Sequence, residues 1–201
     1  MLVVDDKLTA GWVECLRKID DQYPYRKKCF YKALSKIEHD KFSELKLGFD
    51  DWNVAHIPTN VHVLAPGFCV FLPWWLANNG TSKMFLYDYD KEVQILNGDL
   101  IYKLPIEFEL RTLDIIFDTE HIKTDRIDTV INQSCENMWH MKSVIGSYDP
   151  RTLFIFQSTT EHDRGRINVP KSMDEFIEST GLKSVIYTNK ANNILTVIGR
   201  Q

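Results

Sequence analysis

The sequence predicts an α/β fold: an open, mostly parallel sheet of seven strands with a C-terminal antiparallel hairpin, preceded by an N-terminal helical segment. Three observations predict it. After Pro58 short apolar runs alternate with helical stretches, as in strands joined by crossover helices. The chain ends on two apolar runs, 184–187 and 194–198, with a polar stretch between them that reads as a hairpin. Residues 1–59 instead carry helical spacing and both charge signs. The predicted organisation is therefore a helical segment over 1–59 and an α/β domain over 60–201.

Composition bounds the function. The chain has 201 residues, 44% hydrophobic and 26% charged, the make-up of a globular domain with a continuous core. With 24 Lys and Arg against 28 Asp and Glu, the net charge of −4 provides no global basic field for non-specific nucleic-acid binding. A local patch remains. Residues 26–36 hold Arg26, Lys27, Lys28, Lys32 and Lys36 with no acid, either a solvated helix face or a docking patch for a polyanion, so nucleic acid stays open as a partner. Cys15, Cys29, Cys69 and Cys135 are scattered without zinc spacing, which predicts no metal site and reduced thiols in a cytoplasmic protein. Neither a secretory signal nor an apolar run of the ~18 residues needed to span a bilayer is present, so no membrane partner is expected.

The elements follow in order. Thr9 is placed to cap a first helix through Trp12, Val13, Cys15, Leu16 and Ile19, broken at Tyr23-Pro24. A second helix over 27–37 aligns Phe30, Leu34 and Ile37. Residues 61–64 read as the first strand, and 72–79 as a helix with Pro73 in its first turn and Gly80 beyond its end. Residues 83–87 form the second strand. Asp90 caps the next helix, 91–97, which is expected to stop at Gly98. Strands are predicted at 113–117, 129–131 and 153–156, then a helix from Met173 capped by Ser172 and closed by Gly181. The final hairpin loop is predicted over 188–193.

Open α/β sheets bind ligands past the carboxyl ends of their strands, so the strand-to-helix loops are the places to search. In the first, 65–71, Gly67 is the only glycine. In the second, Asp88 lies 21 residues after Gly67, a spacing that suits a ribose-binding carboxylate. Helix capping is the ordinary alternative for Asp88 and Asp90, and is assigned to Asp90. The third holds Asp118, Thr119, Glu120 and His121. The fourth runs from a buried strand into Asn132-Gln133-Ser134-Cys135-Glu136-Asn137, where Glu136 and His140 share a helix face if the segment is helical. Cys135 reads as an inert buried thiol. A fifth loop, 157–166, carries Arg164 and Arg166, which can clamp an anion or remain solvated.

Val-Ile-Asn-Gln-Ser-Cys-Glu-Asn-Met at 130–138 resembles the Val-Ile-Asn-Thr-Ser-Cys-Glu-His-Met stretch of a branch of class I S-adenosylmethionine-dependent methyltransferase-like proteins, many of them phage-encoded. The similarity continues through Phe156-Gln157-Ser158, 172–176 and Thr196-Val197-Ile198-Gly199-Arg200, and covers 60–201. It implies a Rossmann-like seven-stranded sheet with S-adenosylmethionine as cofactor. On that resemblance Gly67 falls in the cofactor loop, Asp88 at the ribose and Asp118 near the adenine, with Asn132 and Glu136 facing the reaction centre as catalytic residues. The family's first loop reads acidic-x-Gly-x-Gly-x-Gly. Here those positions are Ala65, Gly67, Cys69 and Phe71, a degenerate glycine loop whose Cys69 and Phe71 side chains are expected to crowd the ligand.

Two functions follow. The first is methyl transfer from S-adenosylmethionine to an unidentified acceptor, with Glu136 taking a proton and Asn132 holding an acceptor amine or hydroxyl. The alternative is a catalytically inactive protein of the same fold, a structural or host-interaction component of a phage assembly, motivated by the degenerate loop, the helical N-terminus and Trp74, Trp75 and Trp139. A dinucleotide oxidoreductase is disfavoured because no Gly-x-Gly-x-x-Gly follows the first strand.

Overall fold

The computed structural model describes residues 6–51, 58–122, 126–139, 141–163 and 166–201, without the side chains of 7, 8 and 51. The helices are α1 (Asp6–Gln22), α2 (Lys27–Ala33), α3 (Lys36–Asp51), α4 (Leu72–Asn78), α5 (Lys91–Ile101), α6 (Lys142–Ile145) and α7 (Met173–Thr180). The strands are β1 (Asn60–Leu64), β2 (Lys83–Asp88), β3 (Glu107–Thr112), β4 (Thr129–Asn132), β5 (Leu153–Thr159), β6 (Ser184–Ala191) and β7 (Ile194–Arg200).

One seven-stranded sheet runs in the order β3-β2-β1-β4-β5-β7-β6. β1 to β5 are parallel, and β7 enters antiparallel between β5 and β6. This is the Rossmann-like, mostly parallel α/β sheet expected from the sequence, with its closing hairpin. Strand order reverses between β1 and β4, so the crevice above their carboxyl ends is the switch point where such sheets take ligands.

Alternation along each buried strand divides the core into two layers. Val61 and Val63 of β1, Ile131 of β4 and Ile155 of β5 face one side. Leu64, Val130, Phe154 and Phe156 face the other, beneath α6 and α7. The first layer is closed by the N-terminal helices. Cys15 and Ile19 of α1, Phe30 of α2, and Leu45 and Phe49 of α3 are buried in the same cluster as the strand residues. Gly11 lets α1 cross α5 at backbone contact, since a Cβ there would sit 2.5 Å from the Leu100 carbonyl oxygen. Residues 6–51 are thus part of the sheet's covering layer.

Several boundaries differ from the sequence expectation, each for a local reason. The predicted strand at 113–117 is loop, and β3 lies at Glu107–Thr112 instead. As the sheet's half-exposed edge strand, β3 alternates charged with apolar residues and lacks the apolar run of its buried neighbours. α5 continues through Gly98 to Ile101, because Leu100 and Ile101 still have a core to enter. Thr9 lies inside α1, not at its start. The second helix ends at Ala33, and α3 follows as a separate helix. β6 and β7 pair up to Ala191 and Ile194, so Asn192 and Asn193 alone form the turn, with Asn192 left-handed at φ 55°. Asp90 and Ser172 cap α5 and α7 as predicted, and Gly181 closes α7 with φ 73°.

Candidate functional site

A cavity of about 520 Å³ opens at the carboxyl ends of β1 and β2. Ala65 and Gly67 line it after β1, Asp88, Tyr89 and Asp90 after β2, and Leu113 to Phe117 after β3. Ser134, Asn137, Met138 and Trp139 close it from the loop after β4, together with Ile167. Three carboxylates border this space, and among the described residues no Lys, Arg or His does.

The loop after β1 is pinned by side chains. The backbone N–H of Gly67 donates to Asp88 Oδ2 at 3.0 Å, and that of Asp90 to Asp88 Oδ1 at 2.9 Å. Asn97, fully buried on α5, accepts from the Cys69 N–H at 3.1 Å and donates to the Gly67 carbonyl at 2.7 Å. Ala65 and Gly67 both take left-handed backbone angles, φ 47° and 53°, which places a bend at the cavity wall. A Cβ on Gly67 would meet nothing within 4 Å, so the space beside it is open. Burial pushes the Asp88 carboxyl above its ordinary range, while the N–H groups of Asp90, Gly67 and Tyr89 pull it back.

Cys69 and Phe71 do not line this cavity. Phe71 packs edge-on against Trp12 and His39 and stacks on Phe42, all from the N-terminal helices. Cys69 is buried in the core layer that these helices share. The crowding expected from the sequence is therefore absent: the two side chains found in place of glycines face the α1–α3 layer. Where the loop lacks glycine, it gains contact with these helices.

The other predicted residues fall in different places. Asp118 precedes the short 3-10 turn Thr119–His121 and does not line the cavity. Asp114 does, and its Oδ1 accepts from the Ile116 N–H at 3.0 Å. Asn132 and Glu136 are buried and border no part of the cavity. Asn132 Oδ1 accepts the Ser134 N–H at 2.8 Å, and its Nδ2 faces Met138 Sδ at 3.0 Å, which shapes the turn after β4.

Glu136 lies on a 3-10 turn, Cys135–Asn137, rather than an α-helix; the expected pairing with His140 falls outside the described residues. Glu136 Oε1 accepts from Lys41 Nζ of α3 at 2.7 Å, and Lys41 also donates to the Gln133 carbonyl at 3.0 Å. The Glu136 carbonyl receives the N–H groups of Ile167 and Asn168. Gln157 of β5 ties the same region together, donating to the Lys41 carbonyl at 2.8 Å and accepting from Gln133 at 3.0 Å. Burial pushes the Cys135 thiol well up, which keeps it a neutral, inert group.

The basic segment is largely occupied. Arg26 pairs with Asp90 and Glu92, Lys27 with Asp20, Lys32 with Asp163 and Lys36 with Asp40. Arg26 in particular fastens the α1–α2 corner to the α5 N-cap at the cavity wall. Arg164 of the fifth loop lies outside the described residues; Gln157 to Thr159 belong to β5. Sequence reading missed Lys41, Asn97 and Asp114. Only Asn97 left a signal, a polar residue between apolar helix positions.

No family model matches the chain, and no curated protein matches it significantly in sequence. Solved structures do match in fold. The PH0226 protein of Pyrococcus horikoshii OT3 superposes with a TM-score of 0.62 at 14% identity, over 83% of this chain and 92% of that one. A SAM-dependent methyltransferase from Aquifex aeolicus gives 0.59 at 12% identity, over 77% and 88%. Ribosomal protein L11 methylase from Lactobacillus delbrueckii subsp. bulgaricus gives 0.60 at 12%, over 81% and 80%. At these identities the likeness establishes a shared fold.

Proposed function

We propose that the chain binds S-adenosylmethionine in the cavity above β1 and β2 and transfers its methyl group to an acceptor. The observation that carries this is the lining: three carboxylates, of which Asp90 is paired with Arg26, and no described cation in the lining itself, set among aromatic and aliphatic walls at the switch point. Such a site suits a nucleoside bearing a positive sulfonium, and opposes a pyrophosphate, whose charge would be buried beside carboxylates without a partner. The neighbours of methyltransferase fold support the same reading.

The residues present fit that ligand. Open space beside Gly67 and its left-handed bend allow close approach to the first loop. On this reading Asp88 takes the ribose hydroxyls, and Ile115 and Ile116, which line the same cavity, flank the base. When bound, the cofactor supplies a methyl group already activated on sulfur, so the protein's contribution is mainly orientation. Asn132 and Glu136 serve as positioning residues: Asn132 fixes Ser134 at the wall, and Glu136 holds the turn that carries Asn137 to Trp139.

Thermal unfolding with added nucleotides tests the reading. A ligand at a hundred times its dissociation constant adds about 2.7 kcal/mol of stability. S-adenosylhomocysteine should raise the midpoint by several degrees, and NAD should leave it in place. Equal stabilisation by NAD, or none by millimolar S-adenosylhomocysteine, refutes it.

A further inference from the structure

We infer that the mouth of the cavity selects a planar aromatic acceptor that is neutral or cationic and rejects anionic ones, with Phe117 and Trp139 as specificity-determining side chains; this rests on the methyl-transfer reading above. Large apolar side chains stand exposed around one opening: Tyr89 at 76%, Phe117 at 77%, Trp139 at 60% and Ile167 at 53%. The first three come from separate loops, after β2, β3 and β4, and Ile167 from the segment after β5. Exposed apolar groups are unremarkable singly, but a ring of them around a concavity marks a ligand-binding surface. The segment carrying Ile167 is tied to the loop after β4, since Ile167 donates its N–H to the Glu136 carbonyl at 2.9 Å.

Charge narrows the ligand class. The electron-rich faces of Tyr89, Phe117 and Trp139 attract a cation or the edge of a neutral ring. Asp114 adds a negative group at the same wall; its Oδ1 is engaged by Ile116, and among the described residues no partner meets Oδ2. Asp90 is paired with Arg26 and both Asp88 oxygens already accept backbone N–H groups, so Asp114 is the lining carboxylate with an oxygen left to meet an ammonium. An acceptor bearing carboxylate or phosphate would find no described Lys, Arg or His in the lining to receive it. A flat ring stacked at the mouth, with any positive substituent towards Asp114, satisfies both the apolar rim and the charge.

Tyramine and 4-hydroxyphenylacetate carry the same phenol ring with opposite charge at neutral pH, and each is offered to the protein in saturation-transfer NMR, with and without S-adenosylhomocysteine. The expected result is saturable tyramine binding, at least tenfold weaker 4-hydroxyphenylacetate binding, a tenfold loss of tyramine affinity in Trp139→Ala, and a smaller difference between the probes in Asp114→Asn. Equal binding of the two probes by the wild-type protein, or no tyramine binding, overturns the inference without reference to any variant. S-adenosylhomocysteine binding is read separately by calorimetry. Its failure alone removes the methyl-transfer reading, whereas tyramine failure beside a bound nucleoside removes only the acceptor class.

Discussion

Lys41 Nζ lies 2.7 Å from Glu136 Oε1, and both side chains are about 1% exposed. The pair joins α3 to the turn after β4 across 95 residues of sequence. Such a pair contributes little net stability when intact, because desolvation offsets the attraction, yet breaking it strands a charge in the core. Lys41→Met and Glu136→Gln should each destabilise by about 3–5 kcal/mol in urea unfolding. The double variant Lys41→Met/Glu136→Leu should lose less than either single change. A double variant as poor as the sum of the singles would show that the ion pair is not what couples these positions.

The N-terminal helices are held by a second close contact. A Cβ at Gly11 would meet the Leu100 carbonyl, and main chain cannot swing aside as a side chain can. Gly11→Ala should therefore push α1 from α5 and cost about 1–3 kcal/mol, the usual penalty for overpacking. An unchanged urea midpoint would place the α1–α5 contact elsewhere.

Loop geometry after β1 depends on Asn97. Replacing it with Ala leaves the Cys69 N–H and the Gly67 carbonyl without partners, at about 1–3 kcal/mol for each buried group. Hydrogen exchange should show the Cys69 amide unprotected in Asn97→Ala, with nucleoside affinity lowered at least tenfold. Retained protection at Cys69 would assign the loop's shape to Asp88 alone.

His62 sets an acid limit on stability. It is fully buried between Phe85, Tyr87 and Tyr148, with Nδ1 2.9 Å from the Tyr148 hydroxyl. Burial holds its pKa down from 6.5 to about 3. The unfolded chain takes up the proton first, so His62 has no effect on stability above pH 6.5 and lowers it progressively as the pH falls towards 3. Urea unfolding should lose about 1.4 kcal/mol per pH unit across that window from this group. The difference between wild type and His62→Gln should carry that slope; parallel pH curves would contradict it.

How much of this was legible in the sequence depended on whether the cause was local. β1, β2, β4 and β5 are continuous apolar runs, and the Asp90, Ser172 and Gly181 caps depend on neighbours within a few residues. β3 was misplaced because an edge strand shows alternation, while the apolar run Leu113 to Phe117 that imitates a buried strand instead walls the cavity. Asn132 and Glu136 stand out in the sequence, but polar residues after a buried strand look alike whether they face a ligand or hold a turn. The difference for Glu136 is Lys41, whose own sequence surroundings look like an ordinary charged helix. Cys69 and Phe71 could be read only as missing glycines until Trp12, His39 and Phe42 were seen against the Phe71 ring.

Calorimetric titration of S-adenosylhomocysteine into wild-type protein and Gly67→Leu shows whether the cavity beside Gly67 receives the sulfonium nucleoside. Open space around the Gly67 Cβ position lets the variant fold, with only the cost of a left-handed backbone, while its side chain fills part of the ligand's volume. Saturable one-site binding is expected of the wild type, and at least tenfold weaker binding of the variant. No heat from the wild type at millimolar ligand, or equal affinity in both proteins, would contradict it.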